Sequence, residues 1–401
     1  MTWSYGACLQ AFATLEALKN VGCKAEILNF INPYERKGNE TPFQLIKDGD
    51  FKAGLIAAAK NIIFQRAKLH ARAFKKFHSR LPRTERVYTS CAQMADIEAD
   101  ALIVGSDQVW NPFITGGIEP AFFLQFGKAT RRLSLASSLG SHIYNEIEQQ
   151  EIREYLTKFD AISVREAHAV EQIAPLTEKP VFRCLDPTLL LDREYWRAFS
   201  QKPEGFKGNE RYILVFNLAS RTDKEMELWK RFSIDSGLPL WRLSNNTFKD
   251  KVFDRLLLGM TPEEFVWLID HAQYVITDSF HGTAFSVNMG KPFVAMEPIR
   301  GNRARIVDLL NLVGMDNRML AESACELPSI DLDYSYAESA LCEERSRCMV
   351  QLLALIILVV TDYFNVYTMC LATSAAEVSV FIYRLSVITR YQKTAKSMNS
   401  R

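Results

Sequence analysis

The sequence lacks the short motifs that mark the commonest nucleotide, metal and nucleophile sites. It has no G-x-x-x-x-G-K-[ST] loop and no G-x-G-x-x-G after a predicted strand, which argues against ATP hydrolysis of the P-loop type and against a nicotinamide cofactor. It also has no G-x-S-x-G elbow and no H-E-x-x-H pair, so neither a hydrolase serine nor a zinc site is indicated. We therefore predict a protein that uses no metal and no cofactor.

An excess of one charge is missing as well. The 48 Lys and Arg residues nearly balance the 47 Asp and Glu residues, so no overall field attracts nucleic acid and we predict no such partner. The eight cysteines form no C-x-x-C pair, which argues against a structural metal site or a disulfide framework. Residues 6–22 form an amphipathic helical pattern without the basic start of a secretory signal. These features predict a cytoplasmic protein with reduced thiols.

One hydrophobic run is long enough to raise the question of a membrane. Residues 349–360, "MVQLLALIILVV", have Gln351 as their one polar side chain, but Asp362 and Asn365 interrupt the segment that follows. A membrane-spanning helix needs about 20 apolar residues, so we predict a buried helix, with a membrane anchor as the alternative. The basic stretch 51–83 is either a solvated face or a surface that receives an acidic or lipid-linked acceptor.

Strand and helix patterns alternate along most of the chain, which is typical of parallel α/β architecture. The charged segment 192–211 suggests a boundary between two halves of comparable size. We predict a Rossmann-like N-terminal domain at 1–191, a Rossmann-like C-terminal domain at 192–355, a cleft between them, and an atypical hydrophobic tail at 356–401. The helix at 6–22 and the following strand "AEILNFI" are two-thirds of a βαβ unit, so the first strand is missing from the pattern.

Several predicted strands end in polar or glycine-bearing turns. In open parallel sheets, ligands bind outside the carboxyl ends of the strands. The residues that follow such strands are Gly105, Ser106, Asp107 and Gln108, then Ser137 and Ser138, then Arg165 and Glu166, and finally Asp186. Because these turns lie at the same edge of the predicted sheet, their clustering predicts a ligand site there.

The stretch "VITDSFHGTAFSVNMGKPFVAM", residues 275–296, combines a buried strand, a polar turn and a helix predicted to start at Thr283. The free N–H groups at a helix start can bind a phosphate or carboxylate; Gly282 would admit the ligand and Ser279 would donate a hydrogen bond. His281 lies in the turn and is the type of side chain that donates a proton near neutral pH. Alternatively, Ser279 only caps the helix and His281 only packs, and the residues themselves leave both interpretations open.

Charged residues at other turns are candidates for the same site. Arg165 can grip a phosphate or a carboxylate through two parallel hydrogen bonds, or it can pair with Glu166. Asp107 can hold a hydroxyl, orient His281 or cap a turn. A further set of arginines, which is either a second anion clamp or solvated charge, comprises Arg300, Arg303 and Arg305.

Six segments together resemble the polysaccharide pyruvyl transferase family: "SYGACLQAFATLEALKNVG", "LIVGSDQVWN", "ISVREAHAV", "CLDPTLLL", "VITDSFHGTAFSVNMGKPFV" and "NRARIVDLLNLVG". The resemblance runs from about Ser4 to about Leu355, and "GSDQVWN" and "TDSFHGT" are its most specific parts. It implies a fold like the two-domain glycosyltransferase B architecture. It also implies transfer of pyruvate from phosphoenolpyruvate onto two hydroxyls of a surface-polysaccharide sugar, which forms a cyclic ketal.

The resemblance implies roles for individual residues too. Arg165 and His281 match family positions associated with phosphoenolpyruvate, the first as its clamp and the second as the acid. Asp107 joins the expected catalytic group because of its own position at a strand end. Ser279 stands where some members have an arginine, a loss that Arg303 or Arg305 would have to replace. The residues expected to bind substrate are Ser279, Gly282, Thr283, Gly105, Ser106, Gln108, Glu166, Arg303 and Arg305.

Two other functions stay open at this stage. A glycosyltransferase of the same architecture would use a nucleotide sugar, and an inactive glycan-binding relative would fit the missing strand and the unusual tail. The main prediction is a cytoplasmic transferase that acts on phosphoenolpyruvate and a saccharide acceptor. If that acceptor is linked to a lipid, the enzyme works at the membrane surface.

Overall fold

The computed structural model describes residues 4–34, 65–244, 252–298, 303–321 and 324–360. Within these residues the chain forms two sheets, and all strand pairs in both sheets are parallel. The first sheet has the order β1-β2-β3-β4, with strands Glu98–Val104, Lys128–Ser137, Ala161–Val164 and Val181–Arg183. The second has the order β7-β6-β5-β8-β9, where β5 to β9 are Ile213–Phe216, Leu240–Leu243, Arg255–Leu257, Tyr274–Thr277 and Phe293–Ala295.

Helices lie in most of the connections between these strands, as is usual for parallel pairing. The described helices, numbered α1 to α12, are Tyr5–Asn20, Gln65–His78, Pro112–Thr115, Glu146–Leu156, Ala167–Ile173, Pro187–Leu190, Arg193–Phe199, Asp223–Ser236, Pro262–His271, Phe280–Met289, Arg303–Leu312 and Ser335–Val360. Capping boxes open α4, α8 and α9. The capping box of α9 at Thr261 is the one that the sequence predicts.

Large aromatic side chains fill the space between helices and sheets. Trp110 stacks on Phe123 at 5.0 Å beside the first sheet, and Trp229 and Tyr274 lie fully buried beside the second. Burying a side chain of this size stabilises the fold by about 1.5–3 kcal/mol. The packing fixes the strands, and with them the turns at their carboxyl ends.

The predicted fold class is confirmed: the chain is α/β, with two Rossmann-like parallel sheets. The strand predicted at "AEILNFI" is wrong, because this segment makes only isolated bridges, from Ile27 to Arg83 and from Phe30 to Tyr88. Phe30 N donates to Leu28 O at 2.8 Å within its own segment, so a continuous ladder to a neighbouring strand cannot form.

The helix predicted at 349–360 is confirmed as the C-terminal part of α12. Residues up to Arg345 form one compact unit, and Ser346 begins a second. Among the described helices, none combines the length and the apolar character that a membrane crossing requires. The tail beyond residue 360 lies outside the described residues, and so does the part of the basic stretch 51–83 that precedes residue 65.

Candidate active site

The turn between β8 and α10 is the first element of the candidate site. The helix begins directly after its N-cap Ser279, whose hydroxyl accepts a hydrogen bond from Gly282 N at 3.4 Å. Ser279 N donates to Thr277 Oγ1 at 3.1 Å, which ties the turn to the end of the strand. The helix start predicted at Thr283 is therefore wrong, and His281 lies inside the first helical turn rather than before it.

The neighbouring polar residues build this turn. A Cβ on Gly282 would collide with the side chain of Thr277, so glycine permits close packing of α10 on β8, which differs from the ligand approach that we predicted. Thr283 donates its hydroxyl to a backbone carbonyl of the preceding turn at 3.1 Å. Asp278 accepts a hydrogen bond from Arg221 Nη2 at 2.6 Å and thereby joins the ends of β8 and β5.

His281, in the first turn of α10, is buried against the start of α1. Its ring lies against Gly6, where the first turn of α1 has no side chain in the way. Nε2 lies 3.7 Å from Asp186 Oδ2, which is too long for a hydrogen bond. Within the described residues, this Nε2 atom has no hydrogen-bond partner.

Asp186, at the end of the segment after β4, is the centre of the site's hydrogen bonds. Its Oδ2 accepts from Arg165 Nη1 at 2.6 Å and from Ser106 Oγ at 3.1 Å, while Oδ1 accepts from Thr188 N and Thr188 Oγ1. Burial alone would raise the pKa of Asp186, but His281, Arg165 and Thr188 outweigh it and hold this pKa well below its usual range. Asp186 is therefore a carboxylate at any working pH.

Arg165, at the end of β3, lies between two buried carboxylates. Besides its bond to Asp186, its Nε donates to Glu166 Oε1 at 3.2 Å. Burial opposes the charge, but Glu166 and Asp186 raise the pKa of Arg165 further. Glu166 also accepts from Ser138 Oγ and, at 3.3 Å, from Leu139 N. Arg165 Nη2 has no hydrogen-bond partner among the described residues, so the hydrogen-bond donors at one end of the guanidinium are unused.

Arg305, on α11, brings a second guanidinium to the same place. Its Cζ lies 5.5 Å from the ring centroid of Phe280, and Arg165 Cζ lies 4.6 Å from that centroid, so both cations contact one aromatic ring. Burial and then the proximity of Arg165 lower the pKa of Arg305 to about 10, which leaves it charged at neutral pH. Its Nε has no hydrogen-bond partner in the described structure.

Asp107 follows β1 and faces Arg305, not His281. Its Oδ1 lies 3.7 Å from Arg305 Nη1 and accepts from Gln108 N at 2.9 Å. The backbone of Asp107 has φ 77°, a left-handed conformation that costs a residue with a side chain about 1–3 kcal/mol. Such strain is common at ligand sites, and here Ser138 N supports it by donating to the Asp107 carbonyl at 3.0 Å.

The remaining predicted residues take different positions. Gly105 O accepts from Ser137 Oγ at 3.2 Å, and Gln108 Oε1 accepts from Asn111 Nδ2 at 2.8 Å; both bonds order the turns around the site. Arg303 is exposed and pairs with an acidic side chain, that of Glu297, at 3.0 Å. Arg300 lies outside the described residues.

A pocket of about 300 Å³, which includes space open to solvent, adjoins Arg165, Asp186 and Arg305. Its charged lining includes Arg165, Glu166, Arg183, Asp186, Arg305 and Asp308. The sequence placed Asp186 at the predicted ligand edge but gave it no role in the site, and it missed Phe280. The "LDP" turn carried a signal for Asp186, because an aspartate before proline is a typical N-cap at a helix start, whereas nothing in the sequence showed that two distant arginines meet on Phe280.

Gly6→Ala tests the contact that places His281. In most helices this change stabilises by about 0.5–1 kcal/mol, but here the new methyl group would strike the imidazole. We expect a loss of about 1–3 kcal/mol, as for an overpacked core, measured by denaturant unfolding. Combining the change with His281→Ala removes the ring and should recover stability; a Gly6→Ala variant more stable than wild type would contradict the contact.

These features define an α/β protein in which two buried guanidinium groups and a buried histidine lie near the carboxyl ends of parallel strands. The chain belongs to the polysaccharide pyruvyl transferase family, a transferase family whose sequence profile matches residues 5–298. The resemblance predicted from the sequence is thus confirmed. The match includes Asp107, Arg165, Asp186 and His281 and ends before Arg305.

Solved structures with similar folds are distant in sequence. A candidate UDP-N-acetylglucosamine 2-epimerase from Listeria monocytogenes is 14% identical, with a TM-score of 0.38 over 66% of this chain and 76% of that one. The calicheamicin glycosyltransferase CalG4 is 13% identical, with a TM-score of 0.35 over 86% and 90%. A mutant O-GlcNAc transferase from Thermobaculum terrenum is 13% identical, with a TM-score of 0.31 over 75% and 57%. No curated protein matches the chain significantly.

Proposed function

We propose that the protein transfers pyruvate from phosphoenolpyruvate to two hydroxyls of a surface-polysaccharide sugar and so forms a cyclic ketal. The observation that carries the proposal is a set of three buried nitrogen atoms without hydrogen-bond partners in the described structure: Arg165 Nη2, Arg305 Nε and His281 Nε2. Buried donors left unpaired cost about 1–3 kcal/mol each. An anionic ligand with several oxygen atoms would relieve this cost.

Phosphoenolpyruvate suits two separate guanidinium groups because it carries two anionic groups, a phosphate and a carboxylate. Arg165 and Arg305 approach the same ring of Phe280 from positions 4.6 and 5.5 Å from its centroid, so one compact dianion can contact both. Guanidinium groups bind such oxygen atoms bidentately. In this proposal Arg305 replaces the anion contact that Ser279 does not supply.

The chemistry then needs one acid and no electron acceptor. His281 gives a proton to the methylene carbon of phosphoenolpyruvate, and an acceptor hydroxyl attacks the cationic C2 and loses its proton. The C2–O bond to phosphate breaks, phosphate leaves with the electron pair, and the second hydroxyl attacks C2 and loses its proton. One of the two hydroxyl protons replaces the proton that His281 gave to the methylene carbon. The other hydroxyl proton leaves with the phosphate. In this proposal Asp107, whose side chain is 31% exposed, accepts a hydrogen bond from an acceptor hydroxyl.

The competing functions predict different ligands. A glycosyltransferase would bind a nucleotide sugar, and an inactive glycan-binding relative would bind sugar without turning over any donor. Calorimetry of the full chain with phosphoenolpyruvate and with a panel of nucleotide sugars separates the two transferase functions, and turnover of the bound donor in the presence of glycan excludes the inactive relative. Binding of phosphoenolpyruvate alone supports the proposal, and binding of a nucleotide sugar alone overturns it.

Arg305→Gln tests the second half of the donor site. A hydrogen bond to a charged group is worth about 1.5–3 kcal/mol, so we expect Kd for phosphoenolpyruvate to rise about tenfold to a hundredfold. Arg303→Gln is the matched control, because that arginine lies on the same helix but is exposed and paired with Glu297. Equal weakening in both variants would show a general effect of charge and would contradict a specific contact at Arg305.

A further inference from the structure

The electrostatic surroundings of His281 are unfavourable for an acid. It lies in the first turn of α10, near the positive end of that helix, and Gly6 in the first turn of α1 packs on its ring. Arg165 and Arg305 contact the adjacent ring of Phe280. Positive charges repel one another, and an imidazole is an effective proton donor near neutral pH only as the imidazolium cation.

One carboxylate oxygen opposes these positive groups. Asp186 Oδ2 lies 3.7 Å from His281 Nε2, close enough for a strong attraction between opposite charges. A carboxylate oxygen accepts about two hydrogen bonds, and Arg165 and Ser106 already use both positions on Oδ2. The carboxylate therefore supplies charge to the histidine without engaging its N–H.

Other titratable groups on elements packed against α10 do not replace Asp186. They are Tyr5, Cys8, Glu16 and Lys19 on α1, Glu263, Glu264, Asp270 and His271 on α9, Tyr274 on β8, and Arg303, Arg305 and Asp308 on α11. Glu16 pairs with Lys19 at 3.1 Å. Burial raises the pKa of the Cys8 thiol to about 12 and the pKa of Tyr5 further above its usual value, so both are neutral.

The acidic groups in that set have partners of their own. Glu263 pairs with Arg80 at 2.5 Å, and Asp270 pairs with Arg197 at 3.2 Å. Glu264 closes the capping box of α9, and Asp308 accepts from a backbone N–H at the start of α5 at 2.9 Å. Asp186 is thus the carboxylate that the described structure directs at His281.

We propose that Asp186 is the positioning residue that keeps His281 protonated, and that it does so across a gap that leaves Nε2–H available to the substrate. The inference rests on the proposed function, in which His281 is the acid. It assigns Asp186, rather than Asp107, as the acidic partner of the histidine. It also explains why the site retains a carboxylate although it binds an anion.

Asp186→Asn is the variant that tests this role. Asparagine keeps an oxygen for Thr188 and is a good N-cap, so α6 should still form. We expect kcat at pH 8 to fall about tenfold or more, and the deficit to shrink as the pH is lowered because solvent then protonates the histidine. KM for phosphoenolpyruvate should stay equal or fall, because one negative charge has left the anion site. A loss that is the same at every pH, or a raised KM with unchanged kcat, would overturn the proposal.

A measurement without turnover separates this proposal from the proposed function. The ring resonances of His281, assigned with a His281→Ala variant, are followed by NMR against pH in the ligand-free protein. Their midpoint should move to lower pH in Asp186→Asn and to higher pH in Ser106→Ala, which frees a position on Oδ2. Asp308→Asn, a matched loss of one carboxylate at the same pocket, should leave the midpoint in place. If the midpoint in Asp186→Asn does not move, the role of Asp186 is wrong even if phosphoenolpyruvate is the donor. If the midpoints shift as expected but the protein shows no turnover, only the proposed function is wrong.

Discussion

His281→Ala is expected to lower kcat for pyruvyl transfer by about a hundredfold to ten-thousandfold, the usual contribution of a general acid. The reason is that protonation of the methylene carbon creates the cation that the acceptor hydroxyl attacks, and no other described group combines an unpaired Nε2 with a carboxylate 3.7 Å away. Donor binding should change much less, because the two guanidinium groups remain. The measurement is steady-state release of phosphate, with the Kd for phosphoenolpyruvate determined by calorimetry.

A second histidine provides the control for this experiment. His271 stacks on Trp267 at 3.9 Å at the C-terminal end of α9, and helix C-termini of a parallel α/β unit lie at the opposite edge from the strand ends. His271→Ala should therefore keep nearly the wild-type kcat. If both variants release phosphate as fast as wild type, His281 is not the acid.

Arg165→Met is expected to cost about 3–5 kcal/mol of unfolding free energy, because it leaves buried charges without their partner. Asp186 and Glu166 both bond to this arginine, and both are fully buried. A control with an exposed pair is Arg197→Met, since the Arg197 side chain is 47% exposed beside Asp270 and such pairs contribute about 1 kcal/mol or less. Chemical denaturation of the three proteins at pH 7 gives the comparison.

The pH dependence of this cost identifies its cause. In the wild type, the depressed pKa of Asp186 means that the pair stabilises the fold above the ordinary pKa of an aspartate and loses this effect as the pH falls through the folded value. Without Arg165, the carboxyl group takes up its proton at a higher pH, and the neutral form is cheaper to bury. The stability curves of wild type and Arg165→Met should therefore converge as the pH falls from 7 toward 4. A cost that is constant with pH would point to lost packing instead.

The sequence predicted the parts of the site that depend on local pattern. Asp107 and Arg165 follow strands of the same parallel sheet, and the carboxyl ends of its strands meet at one edge, so their approach could be expected from strand order. His281 follows a strand of the other sheet, and the sequence connected it with Arg165 only through the predicted cleft and the family resemblance. The sequence left the helix start open, because it offered both a start at Thr283 and Ser279 as a cap. The structure has Ser279 as the N-cap, with its hydroxyl accepting from Gly282 N.

Contacts between distant segments were beyond the sequence. Arg303 and Arg305 look alike in "RGNRARI", yet one is solvated beside Glu297 and the other is buried against Phe280. The rotation of α11 about its axis relative to α10 decides which arginine is buried and which is exposed. Packing between the two helices sets that rotation. In the same way, the partner of His281 comes from the turn after β4, because burial directs Asp186 inward while Asp107 pairs with Arg305.

The most direct test of the account is a turnover assay with phosphoenolpyruvate labelled with ¹³C at C2. The full-length protein is incubated with the labelled donor and candidate surface glycans, and both free phosphate and the carbon spectrum of the glycan are measured. We expect phosphate release that requires glycan, and a new glycan-bound ketal carbon in an amount equal to the phosphate released. Both should be lost in His281→Ala. Transfer of a sugar from a nucleotide donor, with the labelled phosphoenolpyruvate recovered unchanged, would contradict the account.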